Sequence, residues 1–306
     1  MAISTDILTS YKKIDEAYID SLLEKEIKKN HKKIVVLDDD PTGVQTVHDI
    51  SVYTGWDKDS IRQGFEEENS LFYVLTNSRG FTEEQTIKAH HEISAVTDEA
   101  AKATGKEYIY ISRSDSTLRG HYPLETELLK ADYEKYTGKT VDGEILCPFF
   151  KEGGRFTINN VHYVKYGDTL VPANETEFAK DKTFGYTAAD LPSYVEEKTK
   201  GAYKKEDVTC ISLEDIHDMA VDRIEEQLLA VKDFNKIIVN AVDYADIKVF
   251  CVALYRAMEK GKTFMMRTAA AIVKVMGGVT SQPLLTREKM VVKETDNGGI
   301  IVVGSH

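Results

Sequence analysis

Short apolar segments alternate with longer amphipathic segments along most of this chain. The apolar segments predict buried strands over residues 33–38, 49–54, 71–76, 107–112, 144–147, 207–211 and 236–240. Apolar positions at helical spacing predict helices over residues 5–30, 82–104, 123–136, 213–232 and 243–259. Because strands that alternate with helices are typical of α/β folds, we expect a largely parallel sheet flanked by helices.

Two parts of the chain depart from this pattern. Residues 148–188 hold Gly153-Gly154, Gly167, Pro172 and scattered aromatic residues, which predicts a loop-rich or β insertion. The last residues, Gly298 to His306, have the pattern of a buried strand that enters a Gly-Ser turn. We therefore expect a first domain over residues 1–290 and the first strand of a second domain over residues 291–306.

Composition and charge argue against several classes of partner. The chain has 306 residues, 42% of them hydrophobic, and a net charge of -12, which disfavours nucleic acids and anionic membranes as partners. No apolar run approaches the ~20 residues of a membrane span, and the polar N-terminus lacks a signal-peptide core, so we expect a cytoplasmic protein. Three widely spaced cysteines predict reduced thiols and no metal site.

The first candidate site follows the apolar run Ile34–Leu37. Three adjacent carboxylates, Asp38, Asp39 and Asp40, precede the turn Pro41-Thr42-Gly43. Ligands of α/β folds bind at the carboxyl ends of strands. Adjacent like charges also need a cation, a basic side chain or a substrate hydroxyl to offset them. These carboxylates suit a general base, a nucleophile or Mg²⁺ ligands. A solvated acidic loop is the alternative.

Two arginine-containing clusters also follow apolar runs. Ser78-Arg79 offers a hydroxyl and a guanidinium for a carboxylate or phosphate, and a helix N-cap with a surface arginine is the alternative. Residues 111–121 are denser in polar groups than helix capping requires. In that segment we expect Arg119 to make a bidentate anion contact, while Arg113 either assists it or pairs with Asp115.

Three other segments carry weaker signals. Gly153-Gly154-Arg155, with His162 and Tyr163 after it, predicts either a lid or a hairpin whose polar groups are satisfied, and the spacing favours the hairpin. Phe264 to Thr268 is an apolar patch that ends in an arginine and a threonine. Gly277-Gly278 is most simply the C-terminal cap of a helix.

Taken in order, these segments resemble the four-carbon acid sugar kinase family. Its members phosphorylate short sugar acids such as threonate, erythronate or 3-oxo-tetronate with ATP. The most specific match is the unchanged motif Asp-Ser-Thr-Leu-Arg-Gly at Asp115 to Gly120. The other matches are Asp39-Asp40-Pro41-Thr42-Gly43, Ser78-Arg79, Gly154-Arg155 with His162-Tyr163, Thr176 to Asp181, Arg267-Thr268 and Gly298 to His306.

The resemblance implies a role for each matching residue. Asp39 and Asp40 would contact the substrate hydroxyls, and one of them would act as base, while Arg119, with Arg79 or Arg113, would bind the substrate carboxylate. The implied substrate-binding set is Thr42, Ser78, Arg79, Arg113, Asp115, Ser116, Arg119 and Arg155, and Gly304, Ser305 and His306 would contact ATP. Since no Gly-rich phosphate loop occurs here, ATP and Mg²⁺ are expected mainly on a C-terminal domain beyond this sequence. A homodimer remains open.

Two alternative functions remain at this point. Asp38 and Asp40 also fit a haloacid-dehalogenase-like phosphatase, with Asp38 as nucleophile, Asp40 as acid/base and Mg²⁺ between them. In that hypothesis Thr76 would match a second motif, and Asp243 with Asp246 would bind the metal. It leaves Asp115 to Gly120 unexplained. The third hypothesis is a non-catalytic fragment that binds a small hydroxy acid.

Overall fold

Twelve strands form two sheets in the computed structural model of the protein, which describes residues 1–291 and 293. The strands are β1 (Ile3–Ser4), β2 (Lys33–Asp38), β3 (Val52–Tyr53), β4 (Leu71–Leu75), β5 (Tyr108–Arg113), β6 (Gly143–Cys147), β7 (Arg155–Ile158), β8 (Val161–Tyr166), β9 (Thr169–Pro172), β10 (Thr209–Ile211), β11 (Asn235–Val239) and β12 (Phe264–Thr268). The larger sheet is parallel, in the order β10-β11-β6-β12-β5-β2-β4-β3.

Helices cover both faces of the larger sheet. The helices of the described residues are α1 (Glu16–Lys29), α2 (Lys58–Glu66), α3 (Glu83–Thr104), α4 (Leu124–Thr137), α5 (Leu191–Lys198), α6 (Leu213–His217), α7 (Val221–Ala230), α8 (Tyr244–Glu259), α9 (Ala270–Met276) and α10 (Arg287–Met290), of which α10 is fully exposed. Alternate residues of β2 point to opposite faces. Ile34 and Val36 pack in a core with α1 and α8, whereas Val35 and Leu37 pack with α2, α3 and α4. The predicted α/β fold is confirmed.

The smaller sheet is antiparallel, in the order β1-β9-β8-β7. Three of its strands come from the predicted insertion at residues 148–188, and β1 comes from the start of the chain. A backbone bridge between Thr157 and Ala241 ties this sheet to the segment that follows β11. The insertion is therefore fixed to the larger sheet.

Three predicted elements differ in extent from the observed ones. The helix predicted over residues 5–30 begins only at Glu16, where the Asp15 side chain caps the Tyr18 amide, and Thr5–Thr9 is a short 3-10 helix. The strand predicted over residues 49–54 is reduced to the two-residue edge strand β3. The helix predicted over residues 213–232 is broken because Met219 has a φ of 55°, outside the helical region.

Strand β12 is the largest difference from the sequence prediction. Phe264 to Thr268, which looked like a weak apolar patch, lies in the middle of the sheet between β5 and β6. Gly277 does end α9, as predicted. Within the described residues, no helix has the length and apolar character to cross a membrane. The strand predicted at Gly298 to His306 lies outside the described residues.

Candidate functional site

Four neighbouring strands of the larger sheet end side by side at one edge. Asp38, the last residue of β2, is paired with Leu75 of β4 on one side and with Arg113 of β5 on the other. Arg113 in turn is paired with Thr268 of β12. The next two strands along the chain, β3 and β4, lie on one side of β2, and the chain then crosses to β5 on the other side. The segment after Asp38 therefore lies at a topological switch point, where ligands of such sheets bind.

Asp38 forms a buried ion pair with Arg113. The Arg113 guanidinium donates to the Asp38 carboxylate and to the main-chain oxygen of Asp40. A Cβ atom on Gly43 would overlap both side chains, which explains why glycine closes this turn. Burial raises the pKa of Asp38 to about 7, although Arg113 opposes the shift. The option that Arg113 pairs with Asp115 is wrong, because strand register places it against Asp38.

Asp39 is enclosed by arginines. Its carboxylate accepts hydrogen bonds from Arg79 Nη2 at 2.8 Å and Nε at 3.3 Å, and Arg113 Nη2 lies 3.5 Å away. Burial raises the pKa of Asp39, while Arg113, Arg79 and Arg267 oppose this effect. Both oxygens are engaged within the protein, so Asp39 holds the arginines in place.

Asp40 is the more accessible of the two predicted catalytic carboxylates. It accepts hydrogen bonds from the Thr42 amide at 2.8 Å, from the Thr42 hydroxyl, and from Arg79 Nη1 at 3.1 Å. Burial would raise the pKa of Asp40, but the Thr42 hydrogen bonds and the neighbouring guanidinium groups outweigh burial and lower it. Asp40 is therefore an ionised acceptor beside Arg79.

Residues Asp115–Gly120, called the Asp115 loop below, wrap around the Asp115 carboxylate. This carboxylate accepts hydrogen bonds from Arg119 Nε at 2.8 Å and from the Thr117 hydroxyl, and Arg79 Nη1 lies 3.9 Å away. Although burial opposes ionisation, these partners hold the pKa of Asp115 at about 2. Gly120 has a φ of 116°, and a Cβ there would overlap Arg267. Asp115 thus organises the loop and orients Arg119.

Arg119 has the most accessible of the four guanidinium groups around the carboxylates. Its side chain is 25% exposed, compared with 14% for Arg79, 7% for Arg267 and 5% for Arg113. A charged group that is open to solvent and already oriented is available to an incoming anion. Of these four, Arg119 is best placed to contact a ligand.

Arg155, the first residue of β7 in the insertion, lies close to the same aromatic ring as Arg119. Phe178 has Arg119 Cζ 5.1 Å and Arg155 Cζ 5.2 Å from its ring centroid, which is a cation–π distance for both. The Nε atom of Arg155 is buried without a hydrogen-bond partner, while its Nη1 donates to the main-chain oxygen of Gly153. Burial lowers the pKa of Arg155. The structure therefore brings Arg155 to the same place as Arg119.

His162 and Tyr186 of the insertion, together with Tyr194 of α5, hold the Asp115 loop by its backbone carbonyls. His162 Nε2 is 2.7 Å from the Ser116 oxygen, and the tyrosine hydroxyls of Tyr186 and Tyr194 donate to the next two carbonyls, of Thr117 and Leu118, at 3.1 and 3.0 Å. Arg155 to Tyr163 form the predicted hairpin, and the polar ring of His162 has partners on both nitrogens. Ser116 is thus held through its backbone.

Sequence reasoning missed a buried network behind these residues. Ser78, predicted to bind substrate, is buried and donates to Glu125 at 2.5 Å. Arg267 donates to the Glu125 carboxylate and to Ser112 Oγ at 3.0 Å. Burial opposes ionisation of Glu125, but Arg267 outweighs it and lowers the pKa. The only sequence signal for Glu125 was an acidic residue in the first turn of a predicted helix.

The residues required for the phosphatase hypothesis have structural roles. Thr76 Oγ1 donates to the main-chain oxygen of Asp38 at 2.9 Å. Asp243 and Asp246 form the capping box of α8. In the described part of the chain, no three His, Cys, Asp or Glu side chains are grouped so that they could hold a metal ion. Gly304, Ser305 and His306, predicted to contact ATP, lie outside the described residues.

Comparisons with known proteins agree with the fold and with the resemblance. Residues 34–276 match the model of a family described as the sugar-binding N-terminal domain. A Bordetella bronchiseptica DUF1537 protein, solved with bound citrate as a domain-swapped dimer, superposes with a TM-score of 0.56 at 18% identity, over 80% of this chain and 55% of that one. A Haemophilus influenzae DUF1537 protein gives 0.56 at 16% identity, over 79% and 55%. This chain therefore spans about half the length of these relatives. No curated protein sequence matches it.

Proposed function

Since this chain belongs to the sugar-binding N-terminal domain family of DUF1537 proteins, we propose that it binds a four-carbon sugar acid, such as threonate, erythronate or 3-oxo-tetronate, for an ATP-dependent kinase. The Bordetella relative was solved with citrate, which is itself a hydroxy acid. That relative is also a domain-swapped dimer, which supports a homodimer as part of the proposal. The phosphorylation step rests on the family resemblance.

The observation that carries the proposal is that the partly exposed Arg119 guanidinium and the ionised Asp40 carboxylate, which follows β2, are linked through Asp115 and Arg79. Arg119 is oriented by Asp115 and remains partly exposed, so it can bind the substrate carboxylate through a charge-assisted hydrogen bond. Asp40 has a lowered pKa and accepts hydrogen bonds, so it can orient a substrate hydroxyl. Arg79 bridges the two, since it contacts Asp40 and approaches Asp115.

In this mechanism Asp40 orients the attacking hydroxyl and accepts its proton late, because phosphoryl transfer depends mainly on positioning and charge neutralisation. Asp39 keeps Arg79 and Arg113 in place rather than contacting substrate. ATP would supply the phosphoryl group and Mg²⁺ would neutralise its charge. Because Gly304 to His306 lie outside the described residues, no nucleotide contact is assigned to them.

Calorimetric titration of the chain with L-threonate and D-erythronate tests the binding part of the proposal. Arg119→Ala removes a charge-assisted bond of about 1.5–3 kcal/mol, so affinity should fall about tenfold or more. Arg62→Ala removes an exposed arginine whose partner is Glu66 on the same helix, and it should bind like the parent. Equal affinity of the Arg119→Ala variant and the parent would contradict the assignment of Arg119.

Turnover separates the kinase from the other hypotheses. Transfer of phosphate from ATP to the bound sugar acid, in the presence of Mg²⁺ and by a chain extended beyond His306, supports the kinase. Release of phosphate from a generic phosphate ester would instead support the phosphatase hypothesis. That outcome is not expected, because Asp38, the nucleophile in that hypothesis, is buried under Gly43. Binding of a sugar acid without turnover in either assay is the outcome expected of a binding fragment.

A further inference from the structure

Glu125 lies at the centre of a buried polar network that joins two helices with the ends of three strands. It sits in the first turn of α4, where its Oε1 accepts a hydrogen bond from Ser78 after β4 and its Oε2 accepts one from Ser112 Oγ of β5 at 3.4 Å. Its second oxygen binds Arg267, the penultimate residue of β12. His90 Nε2 of α3 lies 3.8 Å from Glu125 Oε1, the oxygen that binds Ser78. One carboxylate therefore holds together the ends of three strands.

Arg267 extends this network to the candidate site. Its Nη2 donates to the main-chain oxygen of Arg119 at 3.4 Å. A Cβ on Gly120 would lie 2.5 Å from Arg267 Nη2 and 3.1 Å from Asp39 Oδ2, so the glycine allows all three groups to approach one another. The guanidinium of Arg267 thus faces both the Asp115 loop and Asp39.

The charges explain why Glu125 is needed. Arg267 and Glu125 are both buried, and a buried charge whose partner is removed strongly destabilises a protein. Replacing both members of a buried pair by neutral groups removes that penalty. Stability and site geometry can therefore be separated by comparing single and double variants.

We propose that Glu125 is a positioning residue, which through Arg267 fixes the Arg119 backbone and the Asp115 loop in the arrangement that the sugar-acid site requires. The part that concerns ligand affinity rests on the function proposed above. Glu125 is buried and does not contact the ligand. Its effect on binding is transmitted by the two nitrogens of Arg267, one bound to Glu125 and the other to the Arg119 carbonyl.

The first test compares Glu125→Gln with the double variant Glu125→Gln/Arg267→Gln. The single variant should lower the urea midpoint and raise the Kd for L-threonate about tenfold or more. The double variant should recover much of the midpoint, because no unpaired charge remains, while its Kd stays raised. If recovery of stability restored the parent Kd, or if Glu125→Gln bound like the parent, the role would be structural and the proposal wrong.

The second test does not depend on the ligand. The backbone amide resonances of Arg119 and Gly120 should shift in both variants, since the single variant releases Arg267 from its carboxylate partner and the double variant removes the guanidinium itself. Glu127→Gln is the matched control, because Glu127 is an exposed residue of the same helical turn, and it should leave these resonances in place. If the parent chain bound no sugar acid, the proposed function would fail, and unmoved Arg119 and Gly120 resonances would separately reject the positioning role.

Discussion

His162 makes the stability of the protein depend on pH in a defined direction. The ring is buried, with Nε2 2.7 Å from the Ser116 oxygen and Nδ1 2.9 Å from Thr157 Oγ1. A carbonyl oxygen only accepts, so Nε2 carries the proton and Nδ1 accepts from the threonine hydroxyl. Protonation of Nδ1 would remove that acceptor. Burial lowers the pKa of His162 from its ordinary value of 6.5 to about 4.

The sign of the effect follows from proton binding. Between pH 6.5 and about pH 4, the unfolded chain protonates His162 and the folded protein does not, so unfolding is favoured as pH falls through this window. Since one pKa unit corresponds to about 1.4 kcal/mol, His162 should cost the folded state about 3 kcal/mol by the lower end of the window. Above pH 6.5 its contribution should be constant.

Replacement of His162 by glutamine removes this titration but keeps an amide that can donate to Ser116. Free energies of unfolding from urea denaturation of the parent and of His162→Gln, measured from about pH 7 to about pH 4, should converge by up to about 3 kcal/mol. The same substitution at the exposed position His31, His31→Gln, is the control to which the convergence is compared. A parent-to-His162→Gln difference that stays constant with pH would refute the reasoning.

Two further substitutions test packing around buried charges. Gly43→Ala should destabilise the protein by about 1–3 kcal/mol, because its Cβ overlaps Arg113, and an unchanged melting temperature would contradict the close packing seen there. Lys236→Met should cost about 3–5 kcal/mol, since it leaves the Glu144 carboxylate, now 2.5 Å from the lysine, buried and unpaired. Adding Glu144→Leu to Lys236→Met should recover most of the lost free energy of unfolding, measured by urea denaturation. If it did not, an unpaired Glu144 carboxylate would not be the cause of the loss.

Local sequence patterns were sufficient to predict the fold class and the edge of the sheet at which the candidate site lies. The alternation of apolar and amphipathic segments specifies strands and helices, and the carboxylates after Leu37 mark where a strand ends. Strand β12 was not recognised because its last two residues, Arg267 and Thr268, are polar. Of the two, Arg267 enters the buried network at the carboxyl edge.

The pairing of charges could not be read from the sequence. Asp38 and Arg113 are 75 residues apart, and they meet because β2 and β5 are neighbours in register. Sheet order and register depend on packing of the whole chain, so a local motif shows which groups are present but not which of them pair. For the same reason Glu125 looked like an ordinary residue of a helix start, since its burial depends on α4 lying over β5 and β12.

The three contacts on the carbonyls of the Asp115 loop have a consequence for how the candidate site is assembled. The side chains that bind Ser116, Thr117 and Leu118 come from residues 46, 69 and 76 positions further along the chain. Closing loops of this length costs conformational entropy before any contact is made. The Asp115 loop therefore takes its shape only after the chain as far as Tyr194 has folded back onto it.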